Sequence, residues 1–503
     1  MALRTAAPTT SATPSHGRLG RNITMLAGSQ VVTWGLSFLW TVFVPRALGP
    51  KGLGQLVVAT SFSAILGMVI GLGTSTLMVK EIARDHGRAP SLVGTAMVIR
   101  LGLILPAIGV LGLYLQVANF GRQQTLVLCL ATASMFLGLL SGGIQSAFQG
   151  IERMEYLAYG QVLSEVVVTV LGITLVVLGF GVVTLMALWA AMAAIVLGLN
   201  LWWRRGYFNI DWRVDVSLIR FLVINSWPYW ITGLVLTVYM WIDSQMLSFM
   251  TPITVVGWYG VPTKLFANLL FVAGVLSTAW LPRFVGAFKE GPERLRLVAR
   301  PAVELVLILS LPISAGVALI APRLIWVLYG PGFGPAVPVL VVLALSLPPT
   351  YLNMIVNQFL IAANRQVAWT KVMVVMTILN PAINLVLIPY FQHRSGNGAI
   401  GAALSLLITE VLMAGAALVL MRGVLISTSA RKLFRTTLAT LGMAVCVWWV
   451  RYRFGLALQV LTGMTSFAVL GLALRILTAE ERAMLQDVAG RIGRRLGRRR
   501  IPA

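Results

Sequence analysis

The stretch VYMWIDSQML, residues 238–247, places one carboxylate, Asp243, inside an apolar run that extends from 223 to 249. An ionisable side chain in hydrocarbon costs about 3 kcal/mol even on lenient insertion scales, so the acid needs a reason to be there. The rest of the chain decides how the run is read. Of 503 residues, 58% are apolar and 11% are charged, whereas soluble domains carry roughly 25% charged residues. A membrane span needs about 20 mostly apolar residues. By that rule fourteen runs qualify: 22–44, 55–79, 92–115, 125–149, 160–180, 182–203, 223–249, 256–282, 302–321, 336–362, 367–390, 398–421, 436–450 and 456–477. The connections between them are short and leave no room for a soluble domain. The expected fold is an all-α polytopic membrane protein of about 14 transmembrane helices, with Asp243 in the seventh.

Orientation follows from Lys and Arg. With the N-terminus inside, thirty of the 39 basic residues fall on the cytoplasmic side and seven on the opposite side, while Arg100 and Lys264 lie within spans. That asymmetry places both termini in the cytoplasm. Two internal matches suggest a repeat. QSAFQGIERMEYLAYGQ (145–161) resembles NQFLIAANRQVAWTKVM (357–373), with Arg153 matching Arg365; more loosely, LGPKGLGQL (48–56) resembles MTPITVVGWYG (250–260). Six spans separate the members of each pair, so the halves are parallel repeats related by an axis along the membrane normal. The expected organisation is a disordered N-terminus (1–21), a six-helix N-lobe (22–203), a cytoplasmic linker (204–222), a six-helix C-lobe (223–421), two further helices (436–477) and a basic cytoplasmic tail (478–503). A cleft is expected between the lobes.

Several chemistries are excluded. Cys129 and Cys446 are far apart in apolar segments, and His16, His86 and His393 are isolated, which suggests neither a disulfide framework nor a metal site. The net charge of +24 in this setting orients the chain and touches anionic headgroups, at the basic tail RIGRRLGRRR (491–500) above all; nucleic acid is not an expected partner. GPKGLGQL has its lysine in the wrong place for a phosphate-binding loop, and neither a nucleophile elbow nor an H-E-x-x-H motif occurs. The expectation is a protein that is not an enzyme, with no catalytic residue, cofactor or metal.

Polar residues at depth are the candidate site. Arg100, in AMVIRLGLIL, lies about 12–13 Å into its span at 1.5 Å per residue, and Lys264, in YGVPTKLFANLL, sits similarly deep just beyond Pro262. With Arg46 in VPRALGPKGLG, these are the cations expected to hold an anionic substrate, and phosphate suits both residue types. Asp243, Glu165 and Glu410 are candidates for ion coupling or charge balance. The competing reading pairs Asp243 with Lys264 or Arg100 as an internal brace.

Around these residues the chain resembles the polysaccharide transporter family, the O-antigen and exopolysaccharide flippases of the multidrug/oligosaccharidyl-lipid/polysaccharide exporter superfamily. The resemblance is carried by VPRALGPKGLGQL, MVKEIAR (78–84), FQGIERMEYLAYGQVL (148–163), WIDSQMLSFMTPITVVGWYGVPTKL (241–265) and LYGPGFGPAVPVLVVLAL (328–345). It implies a bacterial inner-membrane flippase that moves a polyprenyl-diphosphate-linked oligosaccharide, an O-antigen or exopolysaccharide repeat unit, from the cytoplasmic to the periplasmic leaflet by alternating access. Implied partners are the lipid-linked oligosaccharide, a polysaccharide polymerase and other assembly proteins. A lipid II flippase and a cation-coupled drug antiporter of the same superfamily are the alternatives.

Overall fold

A computed structural model of the chain describes residues 16–213, 215–421, 427–451 and 453–476, with side chains described from residue 35 onward apart from 427–429. The described residues are helical almost throughout. In chain order the helices are α1 (His16–Gly71), α2 (Thr74–Arg84), α3 (Ala89–Gly102), α4 (Ile104–Ala118), α5 (Arg122–Gly150), α6 (Met154–Val177), α7 (Val182–Trp203) and α8 (Val216–Met250). They continue as α9 (Ile253–Glu290), α10 (Pro292–Tyr329), α11 (Ala336–Leu345), α12 (Leu347–Ala362), α13 (Gln366–Ser395), α14 (Gly398–Leu420), α15 (Ser427–Val450) and α16 (Leu456–Ala473). Residues 1–15 of the expected N-terminal segment and the basic tail lie outside the described residues. Helix α1 already begins at His16, because adding a turn to an existing helix needs no new nucleus.

Twelve helices among the described residues are long and apolar enough to cross a membrane, and thirteen spans result if the bent pair α11 and α12 counts as one. The chain is thus an all-helical, multi-pass membrane protein. Exposed large apolar side chains such as Leu105, Val177 and Ile378 are what lipid contact requires of helices that must satisfy their own backbone. The difference from fourteen arises in α1, which joins the first two expected runs across a single non-helical residue, Gly49 (φ 67°, ψ 177°). A Gly-Pro pair reads as a stop in sequence, but here the helix resumes immediately after it.

Proline and glycine set the other breaks. Pro106 removes an amide and crowds the preceding turn, and α3 gives way to α4 at Leu103. Pro348 and Pro349 do the same beyond Ser346, where α11 and α12 meet at 43°. Gly73 takes a left-handed φ of 64° between α1 and α2, where a Cβ would collide with the Trp230 backbone.

The chain divides into two units: Met1–Leu48 with Gln55–Trp241, and Gly49–Gly54 with Ile242–Ala503. Helix α8 contributes to both. In unit 1 the core gathers Met78, Ile82, Leu92, Ile144 and Phe148, all fully buried, from α2, α3 and α5. In unit 2, Val306, Leu340, Tyr351 and Ala402 are buried equivalents on α10, α11, α12 and α14.

The repeat noticed in sequence has a structural counterpart at two turns. After α5, Glu152 takes φ 61°, Ile151 N donates to Ala147 O at 2.9 Å, and Arg153 N donates to Phe148 O at 2.8 Å. After α12, Asn364 takes φ 55°, Ala363 N donates to Phe359 O at 2.9 Å, and Arg365 N donates to Leu360 O at 2.8 Å. Every partner is displaced by the same 212 positions as the Arg153/Arg365 match, so each unit ends a helix with the same left-handed cap.

Candidate functional site

Arg100 occupies the last turn of α3, just before the Leu103 break, and is 2% exposed. Its guanidinium is held by neutral oxygens. Nη1 donates to the Leu139 carbonyl of α5, and Nη2 donates to Thr74 Oγ1 at 3.1 Å and Ser75 Oγ at 3.2 Å on α2. Gly143, one turn further along α5, leaves room for the head: a Cβ there would stand 2.9 Å from Nη1. Nε has no partner among the described residues. The deep cation expected to meet an anionic substrate is thus enclosed within unit 1, where it ties three helices together.

The other two cations are placed differently. Lys264 is exposed on α9 of unit 2, and Arg46 is exposed on α1 in unit 1. Pro262 sits inside α9 without ending it. Thr263 Oγ1 donates to the Tyr259 carbonyl at 3.0 Å and to that of Gly260 at 3.0 Å, which steadies the turn that presents Lys264.

Asp243 is buried in unit 2, 4% exposed, at the meeting of three helices. The Tyr259 hydroxyl of α9 donates to its Oδ2 at 2.8 Å, and Asn384 Nδ2 of α13 donates to its Oδ1 at 2.6 Å. Asn384 Nδ2 also donates to Asn380 Oδ1 at 3.0 Å, and both asparagines are fully buried. Asn384 Oδ1 and Asn380 Nδ2 have no partner among the described residues. Both carboxylate oxygens thus accept, one from a phenol and one from an amide, and a buried carboxylate with no basic partner in this set can take up a proton or a hard monovalent cation. The motif WID…GWYG pointed to Asp243, but not to Tyr259 as its partner. The two asparagines went unread in TILNPAINLVL (377–387), although two amides four residues apart in an apolar helix share one face.

Glu410 of α14 is also buried, 5% exposed. Asn353 of α12 donates through Nδ2 to Glu410 Oε2 at 2.8 Å and to its carbonyl at 3.1 Å. Glu165 of α6 is half-buried and lines a cavity in unit 1. Glu304, at 6% exposure, is clamped between Arg300 at 2.9 Å and Lys432 at 3.1 Å and so pins α15 to α10. No group of three or more His, Cys, Asp or Glu among the described residues could hold a metal ion.

Comparison with known proteins bears on this arrangement. The sequence family described as "Polysaccharide biosynthesis protein" matches residues 19–288, more than half of the chain. The family described as "Lipid II flippase MurJ" matches residues 258–467. The succinoglycan biosynthesis transport protein ExoT of Rhizobium meliloti (strain 1021) is 25% identical over 339 residues, 65% of this chain and 65% of that protein. Among solved structures, lipid II flippase MurJ in an inward closed conformation superposes with a TM-score of 0.71 at 12% identity, covering 90% of this chain and 98% of that one. An inward-facing multidrug resistance MATE family transporter of the MOP superfamily gives 0.56 at 18% identity, covering 80% and 97%. Both structural likenesses concern the fold.

Proposed function

The chain belongs to the polysaccharide biosynthesis protein family, a membrane transporter family and not an enzyme family, and from that premise we propose that it is a flippase for a polyprenyl-diphosphate-linked oligosaccharide. The observation that carries the reading is the family match over residues 19–288, reinforced by likeness to a succinoglycan biosynthesis transport protein. The glycan is an O-antigen or exopolysaccharide repeat unit, moved from the cytoplasmic to the periplasmic leaflet of a bacterial inner membrane by alternating access. Helix α1 makes two crossings that meet at Gly49, which brings the total to fourteen spans with both termini cytoplasmic. The matching turns after α5 and α12 support two six-helix halves as parallel repeats.

Roles follow from placement. Lys264 and Arg46, both exposed, are the cations that meet diphosphate or acidic sugar. Arg100 supports binding indirectly by fixing α2, α3 and α5. Asp243 is the coupling group, exchanging a monovalent cation as the transporter cycles, and Glu410 serves charge balance elsewhere in the same unit.

The test is leaflet exchange of a fluorescent polyprenyl-diphosphate glycan in proteoliposomes. Wild-type protein exchanges it, and Lys264→Ala or Arg46→Ala slows exchange roughly ten-fold, the worth of one charge-assisted hydrogen bond. No exchange of any diphosphate lipid by the wild type would refute the function. The match of residues 258–467 to the lipid II flippase family favours one second reading, transport of lipid II. Faster exchange of lipid II than of the polysaccharide precursor would establish it.

A further inference from the structure

Unit 1 holds a cavity of about 520 Å³ walled by α5, α6 and α7, within the range of about 300–1,000 Å³ typical of small-ligand sites. Its lining is polar along one stripe of each of two helices. Ser134, Ser141 and Gln145 of α5 recur at helical spacing through Gly138, and Gln161, Ser164 and Glu165 of α6 face them. Trp189 of α7 closes a third side. Its indole Nε1 is buried and has no hydrogen-bond partner among the described residues. From Ser134 to Gln145 the stripe runs about 16 Å along α5.

Internal hydrogen bonding accounts for Ser141, Gln145 and Asn200, which leaves Ser134, Gln161 and Ser164 on the cavity wall. Lipid cannot satisfy hydroxyls and amides, and polar side chains at this depth turn toward water or a ligand. Ser141 shows that the wall is organised: its Oγ accepts from Asn200 Nδ2 of α7 at 2.6 Å and from Gln145 Nε2 at 3.5 Å, so its own proton is left to donate. Asn200 is fully buried and fixes the hydroxyl from behind.

The residue types select the ligand. No lysine or arginine lines the cavity, so a diphosphate is not its occupant. An acyl chain would use the apolar side of the lining, Leu157, Val168, Ala193 and Val196, and leave the polar stripe unsatisfied. An organic cation would engage Glu165 and leave five neutral polar side chains unused. A sugar ring uses all of them: its hydroxyls both donate and accept, matching serines, amides and a carboxylate. We propose that this cavity is a saccharide subsite that receives one or two sugar rings of the transported glycan. In it Glu165 and Gln161 accept from ring hydroxyls, and Ser141 donates to them. The proposal rests on the flippase reading and adds to it a glycan-specific contact inside unit 1.

Binding of two lipids by the full-length protein in detergent tests it: undecaprenyl diphosphate carrying a fluorescent hexose tetrasaccharide, and fluorescent undecaprenyl diphosphate alone. A Cβ at Gly138 meets nothing within 4 Å, so Gly138→Phe fills the cavity without displacing backbone. The ratio of the two affinities is expected to fall about ten-fold in Gly138→Phe and about three-fold in Glu165→Gln, which removes one charged acceptor. Thermal unfolding confirms that each variant is folded, and Glu165→Gln decides alone if the larger substitution misfolds. An unchanged ratio in the folded variants overturns the subsite while leaving the flippase reading intact. Binding of neither lipid by the wild type overturns that reading and the subsite with it.

Discussion

Asp243 and Arg100 are both charged groups removed from water, at 4% and 2% exposure, yet their surroundings differ. Asp243 meets Tyr259 and Asn384 at the junction of α8, α9 and α13, with an asparagine oxygen left over. Such a carboxylate can lose its charge by taking a proton or compensate it with a cation, which is what coupling demands. In Asp243→Asn the stimulation of flipping by an imposed H⁺ or Na⁺ gradient should disappear. Rates measured with and without each gradient check this, and retained stimulation would remove Asp243 from coupling. Arg100 stays charged and is enclosed by a carbonyl and two hydroxyls. Lysine cannot reach the Leu139, Thr74 and Ser75 oxygens with one ammonium. Arg100→Lys is therefore expected to destabilise the protein by about 2–3 kcal/mol, visible as a lowered unfolding temperature, while the folded fraction keeps its affinity for diphosphate lipid. Lost affinity at unchanged stability would return Arg100 to direct substrate contact. Both residues stood out in sequence because a charge in an apolar run is conspicuous. Their partners did not, since Tyr259, Asn384, Thr74 and Leu139 are unremarkable until the fold brings them within 3 Å or so.

At the scale of elements, a demanding contact lies in unit 2 between the segment Gly49–Gly54 and the start of α9. A Cβ on Gly54 would overlap the Ile253 carbonyl, and one on Gly257 would overlap the Pro50 carbonyl. Backbones this close admit only glycine on both sides. Gly257→Ala is expected to cost about 2–3 kcal/mol, read as a lower unfolding temperature, and Gly54→Ala should behave alike. Because both substitutions force the same two segments apart, the double variant should lose less than the sum. Additive losses would show that the two glycines act independently. The sequence match between 48–56 and 250–260 was legible, but not that the two segments pack on one another. The runs 92–115 and 336–362 each read as one uninterrupted span in sequence, although the helices break at Leu103 and Ser346 inside them. The turn at Gly49 is legible in sequence, but not that a single residue makes it and the helix goes on.

For the whole molecule, the distribution of Lys and Arg predicts both termini in the cytoplasm. The only cysteines, Cys129 and Cys446, are both exposed, so a cysteine-free background is a conservative change. In it, single cysteines near either end should resist a membrane-impermeant thiol reagent in intact cells, and one at Arg122 should react. Labelling of either terminus from outside would invert the assignment. Sequence alone determined that the chain is helical, crosses a membrane many times and belongs with polysaccharide transporters. Those properties depend on composition, on run length against bilayer thickness and on local motifs, all of which are short-range. Only the tertiary structure decided that Arg100 is enclosed, that Asp243 sits with Tyr259, Asn380 and Asn384, and that the serines and glutamines of α5 and α6 share a cavity with Trp189. These depend on which helices become neighbours, and among many apolar helices hydrophobicity cannot select the pairs, because lipid is as apolar as the helix faces themselves.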